Sequence, residues 1–323
     1  MRLRPLATVS IAAASALLLA GCTGLGGATP SATPTAGAAA DLCDAMAPSG
    51  AASEAISVEG AQGEAPTLTF DAPLEVPDLQ ATVLTEGDGE PTQAGDYVQY
   101  ALTAYGAESG EELVAIGYKP GELLPSQISP ENPLGQILGC SAPGTRVAAA
   151  FPATPATEQS DEIAAEVYVL DLISVVPTAA WGEPQDPEAG MPVVTLADDG
   201  APTIEIPDDD APTKTTVTTL KEGDGYEVQS GDYVLIQYSG VRWSNGEVFD
   251  ETWNGKAPYA SQTTKFVPGF QKALDGHKVG SQVLVVIPPV DGYGEGEINE
   301  TDLKGETLVF VVDIIGAQHV EAE

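Results

Sequence analysis

The sequence predicts an α+β fold, in which two tandem copies each build an antiparallel sheet with one short helix packed on it. Three observations lead to this class. β-Branched runs of strand length occur at residues 283–287 and 308–315. The 35 Gly and 26 Pro supply the turns that connect short strands. The chain also repeats itself at a shift of 136 residues, which indicates two related domains.

The predicted elements are clearest in the second copy. Residues 232–238 have strand composition, and the Asn245-Gly246 pair that follows is typical of a hairpin turn. Residues 269–278 place three apolar side chains at the spacing of a short amphipathic helix. A single helix among strands favours an antiparallel sheet with the helix laid on one face.

The internal repeat sets the domain organisation. At the shift of 136, residues 84–89 match residues 220–225, and residues 93–98 match residues 229–234. A unit of about 100 to 130 residues is a domain and not a solenoid repeat. The predicted segments are a signal peptide over 1–21, a flexible tether over 22–42, a first domain over 43–177, an acidic Pro-rich linker over 178–213, a second domain over 214–318 and a tail over 319–323.

The composition excludes several classes of function. Lys and Arg number 12 against 48 Asp and Glu, and a formal charge of −36 repels the phosphate backbone of nucleic acids. The chain has two His, and its three Cys form no CxxC pair, which argues against zinc sites and thioredoxin-like redox sites. We therefore expect no metal, no cofactor and no nucleic-acid partner.

The N-terminus indicates export. Arg2 and Arg4 precede an apolar run over residues 6–20, as in a secretory signal peptide. Leu19-Ala20-Gly21-Cys22 resembles the lipobox of bacterial lipoproteins, which implies lipidation of Cys22. The predicted location is the cell membrane, where the lipid anchor holds the folded chain on the extracytoplasmic side behind a flexible tether. The alternative is an ordinary signal peptide that is simply cleaved.

Two cysteines remain once Cys22 is assigned. In an oxidising compartment, Cys43 and Cys140 are expected to pair as a disulfide. Such a bond closes a loop of nearly 100 residues and stabilises the first domain by up to about 4.7 kcal/mol. The alternative is two buried thiols.

Four stretches of the second copy together carry a family resemblance. They are Tyr238-Ser239-Gly240, Asn245-Gly246-Glu247-Val248-Phe249-Asp250, Phe266-Val267-Pro268-Gly269-Phe270, and Tyr293-Gly294 seventeen residues before Phe310. Through them, residues 217–315 resemble the FKBP family of peptidyl-prolyl cis-trans isomerases. The resemblance implies a half-barrel sheet wrapped on a short helix, with a shallow apolar pocket between them that receives a proline ring.

The same resemblance implies the residues of the site. The expected pocket has Tyr238, Phe249 and Phe310 as walls, Phe270 as floor, Asp250 as polar member, Val267 N–H and the Tyr293 phenol as donors to substrate carbonyls, and Tyr259, Phe266 and Ile298 as further substrate-binding residues. The alternative is that the aromatic residues only build the core of a small domain. Asp250 argues against it, because a core does not need that charge.

Two departures from the family pattern affect the expected activity. Most of the family has Trp where this chain has Phe270, which changes the contact with the proline ring. The loop after Tyr293, over residues 295–303, keeps the family's length but has a polar and acidic tip. Substrate preference and catalytic rate are therefore expected to differ from those of the family at large.

The first copy resembles the same fold without the site. The aligned pairs are Leu102 with Tyr238, Leu113 with Phe249, Val114 with Asp250, and Leu134 with Phe270. Its loop before residues 166–173 is about six residues shorter and offers no Tyr to match Tyr293. This pattern favours a scaffold or client-binding domain over a second active site, with a remodelled pocket as the alternative.

These observations predict a lipid-anchored peptidyl-prolyl cis-trans isomerase that assists the folding of exported proteins at the outer face of the membrane. Its partners would be proline-containing exported polypeptides and the membrane itself, and a monomer is expected. Two alternatives are a non-catalytic FKBP-like binding module or chaperone that holds clients in the same cleft, and a purely structural envelope lipoprotein.

Overall fold

The computed structural model describes residues 41–156, 160–299 and 301–320 of the chain. The predicted signal peptide, Cys22 and residues 23–40 of the predicted tether lie outside the described residues. Within the described ranges, no helix has the length and apolar character needed to cross a membrane.

The first copy is an antiparallel sheet with short helices at its edges. Its elements are α1 (Leu42–Ala45), α2 (Ala51–Glu54), β1 (Ser57–Glu59), β2 (Thr67–Thr69), β3 (Gln80–Thr85), β4 (Tyr97–Gly106), β5 (Glu112–Ile116), β6 (Ser126–Gln127), α3 (Pro133–Leu138), β7 (Arg146–Phe151) and β8 (Glu166–Val176). The main sheet has the strand order β3-β7-β8-β4-β5, and β6 also pairs with β4. Strands β1 and β2 form a separate hairpin.

The second copy is built in the same way. Its elements are β9 (Glu183–Pro184), β10 (Val193–Leu196), β11 (Pro202–Glu205), β12 (Thr216–Glu222), β13 (Tyr233–Arg242), β14 (Val248–Glu251), β15 (Tyr259–Gln262), α4 (Pro268–Gln271), β16 (Gln282–Ile287) and β17 (Leu308–Gln318). The main sheet has the order β9-β12-β16-β17-β13-β14, with β15 also paired to β13. Strands β10 and β11 form a separate hairpin. The predicted α+β class with two tandem copies is confirmed.

The two sheets share their register as well as their strand order. Strands β4 and β13, and strands β7 and β16, correspond residue for residue at the shift of 136. The pairing of β4 with β8 slips between Gln99 and Tyr100, and that of β13 with β17 slips between Leu235 and Ile236. Strands β8 and β17 are related by a shift of 142, so the second copy has six more residues between its last two strands.

The helix of the second copy is shorter than the sequence predicts. Over the predicted span 269–278, regular helix stops at Gln271 and turns continue the chain. The N–H groups of Ala273 and Leu274 bond to carbonyls three residues earlier, which is the tighter spacing of a 3₁₀ turn. Gly276 ends the segment at φ +85°, a conformation that glycine adopts without strain. The apolar face that the spacing predicted is nevertheless buried against the sheet.

The outer face of the second sheet is covered by the hairpin β10–β11. Ile204 and Val194 of this hairpin pack against Val241, Val309 and neighbouring β-branched residues of the sheet. The hairpin lies inside residues 178–213, which the sequence predicts to be a linker. Val194 on β10 and Ile204 on β11 face the sheet, with Met191 and Ile206 packed beside them, so this part of the predicted linker is a packed cover.

The first copy has the equivalent cover. Its hairpin β1–β2 pairs Ser57 with Thr69, and the hairpin of the second copy pairs Val193 with Glu205, which is the same register at the shift of 136. Leu68 occupies the place of Ile204 and packs on the outer face of the first sheet. The repeat therefore includes the cover hairpins as well as the sheets.

A buried ion pair ties the first cover hairpin to its sheet. Arg146 on β7 donates two hydrogen bonds to Asp171 on β8, at 2.6 Å from Nε and 2.7 Å from Nη2. The same guanidinium donates to the backbone carbonyls of Gly60 and Ala61 in the hairpin turn. The guanidinium of Arg146 therefore pairs with groups of the first copy and does not face solvent.

The second sheet has an amide and a carboxylate in the same places. Gln282 on β16 donates to Asp313 on β17 at 2.7 Å, and the N–H of Ala180 donates to the other carboxylate oxygen at 2.8 Å. With no guanidinium beside it, burial raises the pKa of Asp313 to about 6, although both hydrogen bonds act in the opposite direction.

The N-terminal segment is fastened to the first copy by a disulfide. Cys43 in α1 is bonded to Cys140, just after α3. Beside the bond, Leu42 is buried against the inner face of the sheet, and the N–H of Ala47 donates to the carbonyl of Gln136. The sulfurs that the sequence predicts to pair are thus bonded in the structure.

The two copies contact each other beside the loop between β5 and β6. Tyr97 of the first copy is buried with Leu235 and Ile315 of the second. Gly121 lies against the ring of Tyr226, where a Cβ would come within 2.8 Å of that ring. Because glycine permits this close approach, the loop packs directly on the segment between β12 and β13.

Candidate active site

A cluster of aromatic rings lies on the inner face of the second sheet, where strands β13 and β17 face α4. Phe270, in α4, is 3% exposed and forms the base of the cluster. Its ring is stacked on Phe266 with centroids 4.6 Å apart, and it meets Phe310 edge-on at 4.9 Å. Offset-stacked and edge-on contacts of this kind hold aromatic rings in fixed orientations.

The sides of the cluster are less buried than its base. Tyr238 on β13 meets Phe270 edge-on at 5.9 Å, and Phe249 on β14 meets Phe310 edge-on at 5.4 Å. Both of these side rings are half-buried. The cluster therefore has a buried base and two sides that reach the surface, and the apolar surface between these sides over Phe270 is called the aromatic hollow below.

Gly240 is required where the side rings cross the sheet. A Cβ at this position would lie 2.6 Å from the ring of Phe310 and 2.9 Å from the ring of Phe249. Only a residue without a side chain lets both rings lie over strand β13 at this distance. Packing of the two rings therefore explains why glycine follows Tyr238-Ser239 in the sequence.

Asp250 lies at the edge of the hollow and accepts a hydrogen bond from Tyr238. The phenol oxygen of Tyr238 is 2.6 Å from Oδ2 of Asp250. Burial, and after it this hydrogen bond, raise the pKa of Tyr238. The phenol therefore stays protonated and keeps donating to the carboxylate. Thr252 holds the backbone of the same tyrosine, since its Oγ1 accepts from the Tyr238 N–H at 2.8 Å.

Two donors near the hollow have free hydrogen-bonding capacity. Among the described residues, neither the N–H of Val267 nor the hydroxyl of Tyr293 has a hydrogen-bond acceptor. Tyr293 is 51% exposed, and its phenol is close enough to contribute to the raised pKa of Tyr238. Tyr259 forms an outer rim, with its ring edge-on to Phe266 at 6.1 Å.

Ile298 is an expected site residue that makes no packing contact with the aromatic cluster. It is 58% exposed, whereas Leu303 of the same loop packs against the inner core. Arg242 fastens the loop by donating to the carbonyls of Asn299 and Asp302. Sequence reasoning missed Leu303 and Arg242, although one apolar residue near the end of a polar loop is a signal for an anchor.

The aromatic hollow combines apolar rings with hydrogen-bond donors at its rim. It can bury a small apolar ring against Phe270 and present the N–H of Val267 and the phenol of Tyr293 to carbonyl oxygens. The carboxylate of Asp250 is already occupied by the Tyr238 phenol. Such a site fits the binding of a peptide segment with one apolar ring better than attack by a nucleophile.

Comparison with known proteins places the second copy in one family. The family model described as FKBP-type peptidyl-prolyl cis-trans isomerase matches residues 225–315. A probable FK506-binding protein of Corynebacterium glutamicum is 37% identical over 100 residues, which are 29% of this chain and 80% of that protein. An FK506-binding protein of Streptomyces anulatus is 37% identical over 97 residues, 29% of this chain and 78% of that protein.

Longer proteins also match. The peptidyl-prolyl cis-trans isomerase Mip of Chlamydia trachomatis is 32% identical over 105 residues, which are 32% of this chain and 41% of that protein. Among solved structures, the match to FkpA from Escherichia coli covers 41% of this chain and 53% of the FkpA chain, with 22% identity and a TM-score of 0.30. The match to the three FKBP domains of wheat FKBP73 covers 74% of this chain and 94% of the wheat chain, with 20% identity and a TM-score of 0.29.

Proposed function

We propose, from the premise that this chain belongs to the FKBP-type peptidyl-prolyl cis-trans isomerase family, that the hollow of its second copy isomerises X–Pro bonds of exported polypeptides. The reaction would take place at the outer face of the membrane. The observation that carries the proposal is the aromatic hollow of Tyr238, Phe249, Phe270 and Phe310. It is bordered by two donors, the N–H of Val267 and the phenol of Tyr293, that have no acceptor among the residues the structure describes.

The barrier to be lowered is that of rotation about the imide bond. Resonance gives this bond a barrier of about 18–20 kcal/mol, so an X–Pro bond isomerises in tens to hundreds of seconds without help. Water stabilises the planar, dipolar imide more than the twisted one, and an apolar well removes that water. Each 1.36 kcal/mol of preferential stabilisation of the twisted state speeds the reaction about tenfold.

The side chains have distinct roles in this mechanism. The rings of Phe249, Phe270 and Phe310 grip the pyrrolidine ring, while the N–H of Val267 and the phenol of Tyr293 donate to the flanking carbonyls. These donors fix one side of the imide, and the other side turns. Asp250 acts by holding Tyr238 edge-on above the floor. Proton transfer is not required, because the bond rotates without being broken.

A protease-coupled assay with an X-Pro tetrapeptide tests the activity. We expect the full chain at micromolar concentration to isomerise the peptide faster than the uncatalysed reaction, with a rate proportional to protein concentration. A rate equal to the uncatalysed one would contradict the proposal. If the same chain still bound the peptide, the result would favour the alternative of a binding module.

The location is a separate part of the proposal and rests on the N-terminal sequence. Arg2 and Arg4, the apolar run over residues 6–20 and the lipobox-like Leu19-Ala20-Gly21-Cys22 support export followed by lipidation of Cys22. Replacing Cys22 by Ala should release the protein from the membrane fraction into the medium. Unchanged fractionation of that variant would contradict a lipid anchor on Cys22.

A further inference from the structure

The first copy has an open apolar pocket in the place that corresponds to the hollow of the second. The pocket has a volume of about 420 Å³ and is lined mainly by Tyr100, Leu102, Leu134, Ile137, Phe151 and Tyr168. Strands β4 and β8 and helix α3 supply most of these residues, as β13, β17 and α4 supply the hollow. Leu102 and Leu134, which stand where the second copy has Tyr238 and Phe270, therefore leave the pocket open.

The pocket has two aromatic rings of its own, one at a position that is aromatic in the second copy and one at a position that is aliphatic there. Tyr168 on β8 stands where β17 has Phe310, and Phe151, which corresponds to Ile287, meets it edge-on at 5.1 Å. All the main lining residues except Ile137 are half-buried, so large apolar side chains remain partly in contact with water. A contiguous apolar surface of this kind is characteristic of a binding site.

The groups expected to act on an imide are missing from this pocket. Leu113 and Val114, which replace Phe249 and Asp250, are 53% and 39% exposed and do not line it. Tyr168 donates its hydroxyl to the carboxylate of Glu166 on the same strand. The pocket therefore offers apolar contact without the arrangement proposed for bond rotation in the second copy.

The charge around the pocket determines what it can hold. Residues 41–177 contain 22 Asp and Glu but only two cations, Lys119 and Arg146. Arg146 is buried in its pair with Asp171, whereas the side chain of Lys119 is 82% exposed. The carboxylate of Glu166 accepts a hydrogen bond from the hydroxyl of the lining residue Tyr168, and Glu131 directly precedes the lining residue Asn132. A ligand with positive charges is therefore attracted, and a negative one is repelled.

We propose that this pocket is a second peptide-binding site, which takes an apolar side chain of an extended polypeptide flanked by Lys or Arg and does not isomerise it. The volume suits one or two side chains of the size of Pro or Leu, and the flanking cations meet the carboxylates outside. This site uses no residue of the aromatic hollow, so its existence does not depend on catalysis in the second copy.

Photo-cross-linking of the full chain tests the proposal. The probe is the peptide Lys-Lys-Ala-Leu-Pro-Ala-Lys-Lys with an N-terminal benzophenone, and its counterpart has Glu in place of each Lys. We expect cross-links that map to β4, α3 or β8 with the Lys peptide and at least tenfold fewer with the Glu peptide. Cross-links confined to the second copy, or equal yields from the two peptides, would overturn the proposal.

Variants assign the cross-links to the pocket. Leu134→Asp should reduce those in the first copy at least tenfold, while Val193→Asp, an equal charge change at a 58% exposed position outside the pocket, should not. If circular dichroism shows that Leu134→Asp does not fold, Tyr168→Ala serves as the pocket variant instead. Undiminished cross-linking in a folded pocket variant would refute the site. Since Leu134 is far from the proposed catalytic groups in sequence and belongs to the other copy, its variant should keep the wild-type isomerase rate.

Discussion

Tyr238 and Asp250 are joined by a 2.6 Å hydrogen bond across the edge of the aromatic hollow. The bond is possible because β13 and β14 pair with Gly240 opposite Asp250, which brings the carboxylate beside the tyrosine two residues earlier. It links the exposed edge of the sheet to a ring that packs on the buried floor. A solvent-facing charge thus controls the orientation of a partly buried ring.

Removing this carboxylate should weaken catalysis. We expect Asp250→Ala to lower kcat/KM about tenfold, equivalent to about 1.4 kcal/mol, because Tyr238 loses the acceptor that orients its ring. Asp250→Asn retains an acceptor oxygen and should recover most of the rate. Glu247→Ala removes an exposed carboxylate from the same hairpin and should have no effect. Full activity of a folded Asp250→Ala chain in the protease-coupled assay would refute the positioning role.

Phe249 should contribute to catalysis more than its counterpart in the first copy. Truncation by Phe249→Ala removes one side of the hollow, and we expect kcat/KM to fall about tenfold or more in the same assay. Leu113→Ala is the matched control at the equivalent position of the first copy, where the side chain is 53% exposed. Equal rates for the two folded variants would show that Phe249 does not touch the substrate.

The hydroxyl of Tyr293 should act as a hydrogen-bond donor to substrate. Tyr293→Phe removes that donor and keeps the ring, so a loss of about 1 kcal/mol, or roughly fivefold in kcat/KM, is expected. Tyr233→Phe changes another exposed tyrosine of the same domain, 42% exposed on β13, and should leave the rate unaltered. An unchanged rate for Tyr293→Phe would remove this residue from the mechanism.

Asp313 should make the second copy more stable in acid relative to a chain without this carboxylate. Its pKa is raised from 3.8 to about 6 in the folded state, so its stabilising contribution is complete below pH 3.8 and is lost as the pH rises through about 6. The difference corresponds to about 3 kcal/mol. Relative to Asp313→Asn, the free energy of unfolding of the wild type should fall by about this amount between pH 4 and pH 7.

Tryptophan fluorescence during urea unfolding can measure this difference. Trp181, Trp243 and Trp253 all lie after residue 177, so the signal reports the second copy. Asp224→Asn, which alters an exposed carboxylate, should keep the pH dependence of the wild type. If the curves for Asp313→Asn and the wild type ran parallel across this pH range, the ionisation of Asp313 would have no part in stability.

Removing one partner of the buried pair Arg146–Asp171 should lower the free energy of unfolding more than removing both partners. Arg146→Leu leaves the carboxylate of Asp171 buried without its cation, and we expect a loss of about 3–5 kcal/mol in the free energy of unfolding. The double variant Arg146→Leu/Asp171→Leu should recover much of that loss in urea unfolding followed by circular dichroism. Strictly additive effects of the two substitutions would contradict a direct coupling of these residues.

Sequence reasoning identified the features that depend on local pattern. The shift of 136 located both sheets, and the motif around Tyr238, Phe249 and Phe270 located the rings that the structure brings together. These features are recoverable because strand periodicity and motif spacing are written in neighbouring residues. The same reasoning placed Ile298 at the site, and this stays a prediction, since the structure leaves the side chain 58% exposed in a loop that Arg242 anchors. Loop conformation depends on such anchors, which lie far away in the sequence.

Other features depend on contacts between distant segments. The pocket of the first copy combines Phe151 and Tyr168 from adjacent strands. Tyr168 lies opposite Phe310, but Phe151 lies opposite the aliphatic Ile287, so the family pattern does not predict this pair of rings. The cover hairpin over residues 193–205 has the Pro, Gly and Asp content of a linker, which concealed its alternating apolar residues. Matching Ala201-Pro202-Thr203 to Ala65-Pro66-Thr67 was the available signal that this segment belongs to the repeat.

The cover hairpins matter for anyone who expresses the two halves of this protein separately. A fragment that starts at residue 214 would lose the strands carrying Val194 and Ile204 and would leave the apolar outer surface of its sheet, including Leu284 and Val309, in water. Such a fragment invites aggregation through that bare surface. Cloning boundaries should instead fall near residue 178, so that each recombinant half retains its own hairpin.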